Sequence, residues 1–413
     1  MQGPLFSPIR VGPLTLKNRF IKSATNEGMA KGAIVSKGLA DFHEAIAKGG
    51  AAMTTVAYCA VSPDGRTFED QVVMSEDSAE DLKALTERVH AAGGAASAQL
   101  THSGCFSFLP RRASKPTPVS ASGGFNKIGA ASGRFTKKQM AYCKMDDIRA
   151  EFIAAAEVAR DTGFDAVELH MGHGYLLSQF LSPIYNQRKD GFGGTLENRL
   201  RYPIQVLESV LEAVGQDLAV LVKISMTDGH AAGYGIEDGI GIAKALEAAG
   251  AHMIVLSNGL NAESVSSMFG SNLPESVLRP PRNMIERKVM DWLRISGFEK
   301  IDFHELYLLE NALKILEEVR VPLCYLGGVQ SVEAAQAVCG HGFEAIAMGR
   351  ALIHDASLIS GFEDGSKVRS GCTACNECVA QLHAPAGVYC VLGSKPNPQD
   401  HQIRARDAHL SSA

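Results

Sequence analysis

Short apolar runs alternate with amphipathic helical patterns along this chain about every 25–50 residues, and that alternation limits the fold more than any other feature. Eight runs read as strands: Phe20–Thr25, Ala52–Ala57, Ala95–Leu100, Ala166–His170, Val220–Ser225, Met253–Ser257, Leu323–Leu326 and Ala345–Met348. Between most of them the apolar residues recur with helical period, as in Ala79–Ala92 and Met145–Thr162, which close on Gly93-Gly94 and Gly163. Repeated βα units of this kind build a parallel sheet, and no glycine-rich dinucleotide fingerprint favours an open, doubly wound one. The expectation is therefore a TIM (β/α)8 barrel. Pro4–Asn18 precedes the first strand and reads as a plug or hairpin at the barrel floor. Two rim loops are long: Thr101–Tyr142 after strand 3, and Asn258–Asp302 after strand 6, which holds Met268, Phe269, Pro280, Pro281 and Trp292. The first reads as a surface excursion and the second as a partly ordered lid. Residues 1–366 would form the barrel and 367–413 a polar, cysteine-bearing tail without barrel periodicity.

Composition narrows the function classes. A formal net charge of −5 gives no reason to expect nucleic acid or an anionic membrane as partner. No apolar stretch approaches the ~18 residues of a membrane span, and the opening MQGPLFSPIRVGPL lacks the pattern of a secretory signal. Nine cysteines in 413 residues are too sparse for a disulfide scaffold, so a reducing, cytoplasmic setting is the expectation.

The chemistry concentrates where the fourth strand ends. Ala166-Val167-Glu168-Leu169-His170 runs straight into His173, Gly174 and Tyr175, so titratable side chains emerge where a barrel places its active site, at the carboxyl rim. Gln179-Phe180-Leu181-Ser182-Pro183, Asn186-x-Arg188-x-Asp190, Gly193-Gly194 and Glu197-Asn198-Arg199 follow. This run of roughly thirty positions resembles the central motif of the old yellow enzyme family, the flavin-dependent ene-reductases. A zinc site is the rival for His-x-x-His, but no third ligand follows at ligand spacing.

The resemblance implies an FMN cofactor reduced by NAD(P)H, because no side chain donates hydride. It implies that His170 and His173 hydrogen-bond a substrate carbonyl oxygen and that Tyr175 protonates the neighbouring carbon. Ser23, Ala24 and Thr25 end strand 1, where similar enzymes lay backbone against the flavin; Ala24, Thr25 and Asn26 leave no place for the redox-tuning cysteine of one subgroup. Tyr58 stands where relatives carry a small residue, and the expectation is that its side chain points away from the ring. Gln99 matches a glutamine that reads the flavin's pyrimidine edge. Lys223 interrupts an apolar strand, and a buried cation asks for an anion; the resemblance makes that anion the reduced flavin. Gly327-Gly328 and Gly349-Arg350 suit the phosphate site that barrels form after strands 7 and 8.

The tail reads Cys372-x2-Cys375-x2-Cys378-x11-Cys390. It resembles the 4Fe-4S ligands of the 2,4-dienoyl-CoA reductase branch, with one residue fewer in the middle spacing. Reduced thiols, a four-cysteine zinc site and a retained cluster all stay open. The reading is an FMN-dependent barrel that reduces the C=C bond of an activated alkene with nicotinamide hydride. A double-bond isomerase, a dienoyl-reductase or demethylase, and a barrel that only binds a small molecule are the alternatives. A homo-oligomer is compatible with all of them.

Overall fold

In the computed structural model, residues 4–109, 117–274, 301–384 and 386–393 are described, together with Met284 and Lys288. Pro280, Pro281 and Trp292 lie outside the described residues. Eight parallel strands close into a barrel in chain order: β1 (Phe20–Lys22), β2 (Met53–Ala60), β3 (Ala95–Thr101), β4 (Ala166–Met171), β5 (Ala219–Ser225), β6 (Met253–Ser257), β7 (Leu323–Tyr325) and β8 (Ala345–Met348). Ala347 of β8 pairs with Ile21 of β1 to complete the ring. The sequence runs match these strands to within a residue, except that β1 stops at Lys22 rather than Thr25 and β2 continues past Ala57 to Ala60. There Lys22 Nζ donates to Ser23 O, Thr25 Oγ1 and Glu27 Oε1 at 2.8, 2.9 and 3.2 Å, and this knot bends the chain out of the sheet.

Alternation along each strand sorts the side chains into two cores. Outward residues such as Val167, Leu169, Val220, Val222, Ile254 and Leu256 pack under helices α1 (Lys37–Lys48), α2 (Ala79–Ala91), α3 (Tyr142–Asp161), α4 (Leu196–Val214) and α5 (Ile236–Ala248). Inward residues form a second cluster: Ile21, Met53, Ala166, Leu221, Met253, Val255 and Cys324, covered by Ile9, Val11 and Leu16. The last three come from a hairpin, Ile9–Val11 paired with Leu14–Leu16, so the stretch before β1 does plug the floor.

The described part of the loop after β3 carries a small sheet of its own. Thr136–Gln139 pairs with both Val119–Ser120 and Gly124–Phe125. Arg188 clamps this small sheet to the barrel, donating from Nη1 to Ala121 O at 3.0 Å and Met140 O at 2.9 Å. Asp190 holds the other side of the guanidinium in a fork, at 2.9 and 2.6 Å. Lysine cannot reproduce that planar geometry. Arg188→Lys should cost about 2–4 kcal/mol of stability, read as a lower urea midpoint, with faster proteolysis of the β3 loop than of the barrel.

Candidate active site

Three inward residues set the layer above the apolar floor. Lys223 Nζ of β5 lies 2.8 Å from Glu168 Oε1 of β4 and donates to Ser23 Oγ at 3.2 Å. Gln99 Nε2 of β3 donates to the same Glu168 oxygen at 2.6 Å. Lys223 is 2% exposed, so it is an interior cation, but its nearest anion belongs to the chain itself. Glu168 escaped the sequence reading although the signal was present: it sits two residues before His170, on the same face of β4, in an otherwise apolar run. Lys223→Met would leave Glu168 buried and unpaired, at a cost of about 3–5 kcal/mol. Pairing it with Glu168→Gln should recover most of that loss, measured as urea midpoints of the single and double variants.

The next layer holds the histidines. His173 (φ 61) and Gly174 (φ 81) turn the chain through two successive left-handed residues, and the first turns the His173 ring back over the barrel mouth. Ser225 Oγ accepts from His173 N at 3.1 Å. His173 Nε2 then meets Ser257 Oγ at 2.7 Å, and His173 Nδ1 meets His170 Nε2 at 3.0 Å. Three of the four ring nitrogens are thereby committed within the protein. His170 Nδ1 is buried without a partner. The sequence-based expectation of two histidines side by side on a ligand oxygen thus becomes an ordered chain, with His173 behind His170. Burial drives both imidazoles toward the neutral form, with His173 down to about 3.

Tyr175 lies above His170, ring centroids 4.5 Å apart, and is 1% exposed. Burial lifts its phenol well above the ordinary tyrosine range, so it holds its proton. Tyr58 departs from expectation. Its ring stacks on His170 at 5.7 Å and approaches Tyr175 at 5.1 Å, so the side chain points into the mouth. The physical reason is a register shift in β2 between Val56 and Cys59, which breaks the strand's alternation.

The remaining candidates ring the other side. Thr25 is spent on the Lys22–Glu27 pair, where Thr25 Oγ1 donates to Glu27 Oε1 at 2.9 Å, and its methyl is the nearest atom to a Cβ built at Gly349. Ala24 O accepts weakly from Ser23 Oγ at 3.4 Å. Gly328 has φ +78, and a Cβ there would meet Tyr307 at 2.9 Å. At Gly327 it would run into the Tyr325 hydroxyl. Arg350 donates to Ser271 Oγ at 2.9 Å, Asn376 Oδ1 at 2.6 Å and Phe269 O at 2.6 Å. Asn376, buried between Cys375 and Cys378, donates in turn to Ser271 Oγ and Asn272 O, each at 2.9 Å. The cysteine segment is therefore bolted to the loop after β6 through an asparagine that the spacing of the cysteines does not single out. Cys372, Cys375, Cys378 and Cys390 form no disulfide, with His354 Nδ1 3.2 Å from Cys390 Sγ. Among the described residues no group of three or more His, Cys, Asp or Glu is arranged to hold a metal.

The mouth of the barrel thus carries a neutral histidine chain, a protonated phenol and an interior cation. The chain belongs to the NADH:flavin oxidoreductase / NADH oxidase family, the old yellow enzyme family, whose model matches residues 4–274. It is 37% identical over 395 residues to a 4,4'-dithiodibutanoate disulfide reductase of Rhodococcus erythropolis, covering 94% of each chain. An NADH oxidase of Thermoanaerobacter brockii is 29% identical over 385 residues, which are 90% of this chain but only 52% of that one. The fold superposes on an old yellow enzyme homologue from Zymomonas mobilis with a TM-score of 0.69 at 21% identity, over 89% of this chain and 95% of the other. The protein is an oxidoreductase that works with FMN and NAD(P)H. Among the described residues no helix is long and apolar enough to cross a membrane.

The residues present fit FMN. Besides His170 Nδ1, the buried Gln99 Oε1 has no partner and offers an acceptor beside the Lys223 cation, as a ring with both donor and acceptor edges requires.

The pH dependence of folding follows from the buried imidazoles. His102 and His173 are both pushed down to about 3 by burial, from an ordinary 6.5. Below 6.5 the unfolded chain takes up protons that the folded one refuses until about 3, so stability is intact above 6.5 and is lost as pH falls. Each residue contributes about 1.4 kcal/mol per pH unit in that window. Asp228, raised by burial to about 7, acts in the opposite sense, because folding holds its proton between 3.8 and 7. His173→Asn should make the urea midpoint fall less steeply between pH 6 and about 4.

Proposed function

We propose that the protein reduces the C=C bond of an α,β-unsaturated carbonyl compound, and that His170, backed by His173, and Tyr175 carry the protein's share of the chemistry. The observation that carries this reading is the unpartnered Nδ1 of His170, buried with its ring 4.5 Å from the Tyr175 ring. FMN, when bound, supplies the hydride, renewed from NAD(P)H. Gln99, Lys223 and Ser23 would hold its ring; Gly327, Gly328, Gly349 and Arg350 would hold its phosphate end, with backbone at Ala24, Thr25 and Tyr58 alongside.

Ser257 donates to His173, His173 to His170, and His170 Nδ1–H to the substrate's carbonyl oxygen. This order fixes one tautomer for each ring and aims a donor at the oxygen where enolate charge develops. Because burial keeps both rings neutral, the donor is an imidazole dipole rather than a mobile imidazolium. Tyr175 then gives its hydroxyl proton to the α carbon, with a phenol's acidity against a far stronger base.

The test separates the two half-reactions. Tyr175→Phe should leave reduction by NAD(P)H nearly unchanged and slow oxidation by a simple cyclic enone by roughly a hundredfold or more. A nitroalkene, whose nitronate product is protonated by water, should still be reduced at close to the normal rate. An enone rate equal to wild type would remove Tyr175 from the mechanism.

A second reading is favoured by the Rhodococcus relative, which matches this chain end to end and is a disulfide reductase. In the same pocket a dialkyl disulfide would take hydride at one sulfur, break its S–S bond and lose the other sulfur as a thiolate, which Tyr175 protonates. The products are two thiols. Steady-state NAD(P)H oxidation with an enone and with a dithiodialkanoate decides between them.

A further inference from the structure

The small sheet on the loop after β3 turns one charge back toward the mouth. Along Thr136–Gln139 every residue is exposed except Lys137, which is half-buried. Lys137 Nζ lies 5.1 Å from the centre of the Tyr185 ring. Tyr185 is 5% exposed and belongs to the apolar wall that also contains Tyr175, Phe106 and Leu260. Its hydroxyl abuts the turn between His173 and Tyr175, since a Cβ built at Gly174 would stand 3.5 Å from it. Arg188 fixes the sheet that carries the lysine, so the ammonium is held over this wall.

What the ammonium lacks is an anion. Among the described residues no carboxylate lies within ion-pair distance of Lys137 Nζ. Glu263 accepts from the Tyr185 hydroxyl at 2.6 Å, and the basic groups facing that carboxylate are Lys127 and His230. The face of an aromatic ring is a weak partner for a partly solvated ammonium, whereas a carboxylate would take a charge-assisted hydrogen bond from it.

We propose that Lys137 anchors a carboxylate on the substrate: the reactive bond sits at His170 and Tyr175, and an aliphatic arm runs along Tyr185 and Leu260 to an acid group. This rests on the reading of His170 and Tyr175 as the reacting centre and names the substrate class within it. The two ends of such a molecule suit their surroundings. Burial keeps the imidazoles and the Tyr175 phenol uncharged, so the reacting atoms enter neutral. The acid stays at the rim, where the pair forms without full desolvation of either ion. A lysine can make the exchange because its ammonium rides on a flexible four-carbon stem with rotatable donors and can leave the ring. No bond is made or broken at Lys137.

The experiment uses the FMN-loaded protein and its Lys137→Met and Lys137→Arg variants. Binding is read without turnover, from the flavin absorbance, as a saturated keto acid or its methyl ester is titrated in. The wild type should bind the acid about tenfold more tightly than the ester, and added salt should shrink that preference. Lys137→Met should abolish the preference and Lys137→Arg should keep it. In steady-state NAD(P)H oxidation with a dithiodialkanoate and with an acid-bearing enone, Lys137→Met should raise KM about tenfold with little change in kcat, and the corresponding esters should not share the loss. The phosphates of the nicotinamide coenzyme are the other anions that visit such a mouth. Weakened NADH or NADPH in the flavin-reduction step of Lys137→Met, with the acid preference intact, would assign the lysine to them and overturn the proposal. So would a wild type that binds acid and ester alike, or a loss in Lys137→Met that falls equally on both. Wild-type rates with both acceptors in Tyr175→Phe would sink the reacting-centre assignment instead, a result on which the binding titration does not depend.

Discussion

A closed parallel barrel gives its inward side chains two exits, and here the floor is sealed. The hairpin that carries Ile9, Val11 and Leu16 covers the amino end of the strands, so every polar group inside must be satisfied by another strand or face the carboxyl rim. The Glu168–Lys223 pair is where that constraint bites. It takes one carboxylate and one ammonium out of water at almost complete burial, with Gln99 and Ser23 supplying the further hydrogen bonds such a pair needs. Below it the interior is mainly apolar, and above it stand His170, Ser225 and Ser257. The ion pair is the boundary between a packed core and a reactive mouth, and it fixes the rim ends of β1, β3, β4 and β5 relative to one another.

The strands were legible because each is a short apolar run between helical patterns, and the histidines because they follow such a run. The internal geometry of the site was less so. Lys223 announces itself as a charge in an apolar strand, yet its partner lies in a neighbouring strand at a register that only the closed barrel defines. Lys22 and Glu27 carry no signal in the sequence that would pair them. They form a buried pair outside the barrel wall, with Lys22 Nζ 5.1 Å from the centre of the Phe42 ring, and burial pushes Lys22 down and Glu27 up toward neutrality against their mutual attraction. Tyr58 was misdirected for a specific reason. Side-chain direction in a strand is read from parity, and a one-residue slip in register reverses parity without leaving a mark in the apolar pattern.

Much of the long motif that identifies the family turns out to hold backbone rather than ligand. Gln179 Nε2 donates to Ser103 O at 3.0 Å and Gly174 O at 2.7 Å, tying the β3 and β4 loops together. Asn186 Nδ2 donates to Phe180 O and Phe192 O, both at 2.7 Å. Arg199 pairs with Asp238 at 2.7 Å and also reaches Leu181 O. These loops leave the sheet and so lose its ladder of backbone hydrogen bonds, and buried amides and guanidinium groups replace it. A motif dense in Asn, Gln and Arg next to the paired histidines is therefore as much a statement about loop burial as about chemistry.

Neutrality joins the parts of the mouth. Burial keeps His170, His173 and Tyr175 uncharged, and Lys223, the cation beneath them, is already paired with Glu168. A pocket of this kind binds a neutral, polarisable substrate without having to neutralise it. Charge that appears during reaction is met by dipoles already in place, at no cost of reorganisation. The same property suits an enone and a dialkyl disulfide, since both enter uncharged at the reacting atoms and both leave an anion that a phenol can protonate. On either proposed reading the barrel would order the same electron-pair and proton movements, whichever bond they act on. On both readings the choice of substrate would fall to the described parts of the loops after β3 and β6, which Arg188, Asn376 and Arg350 hold in place.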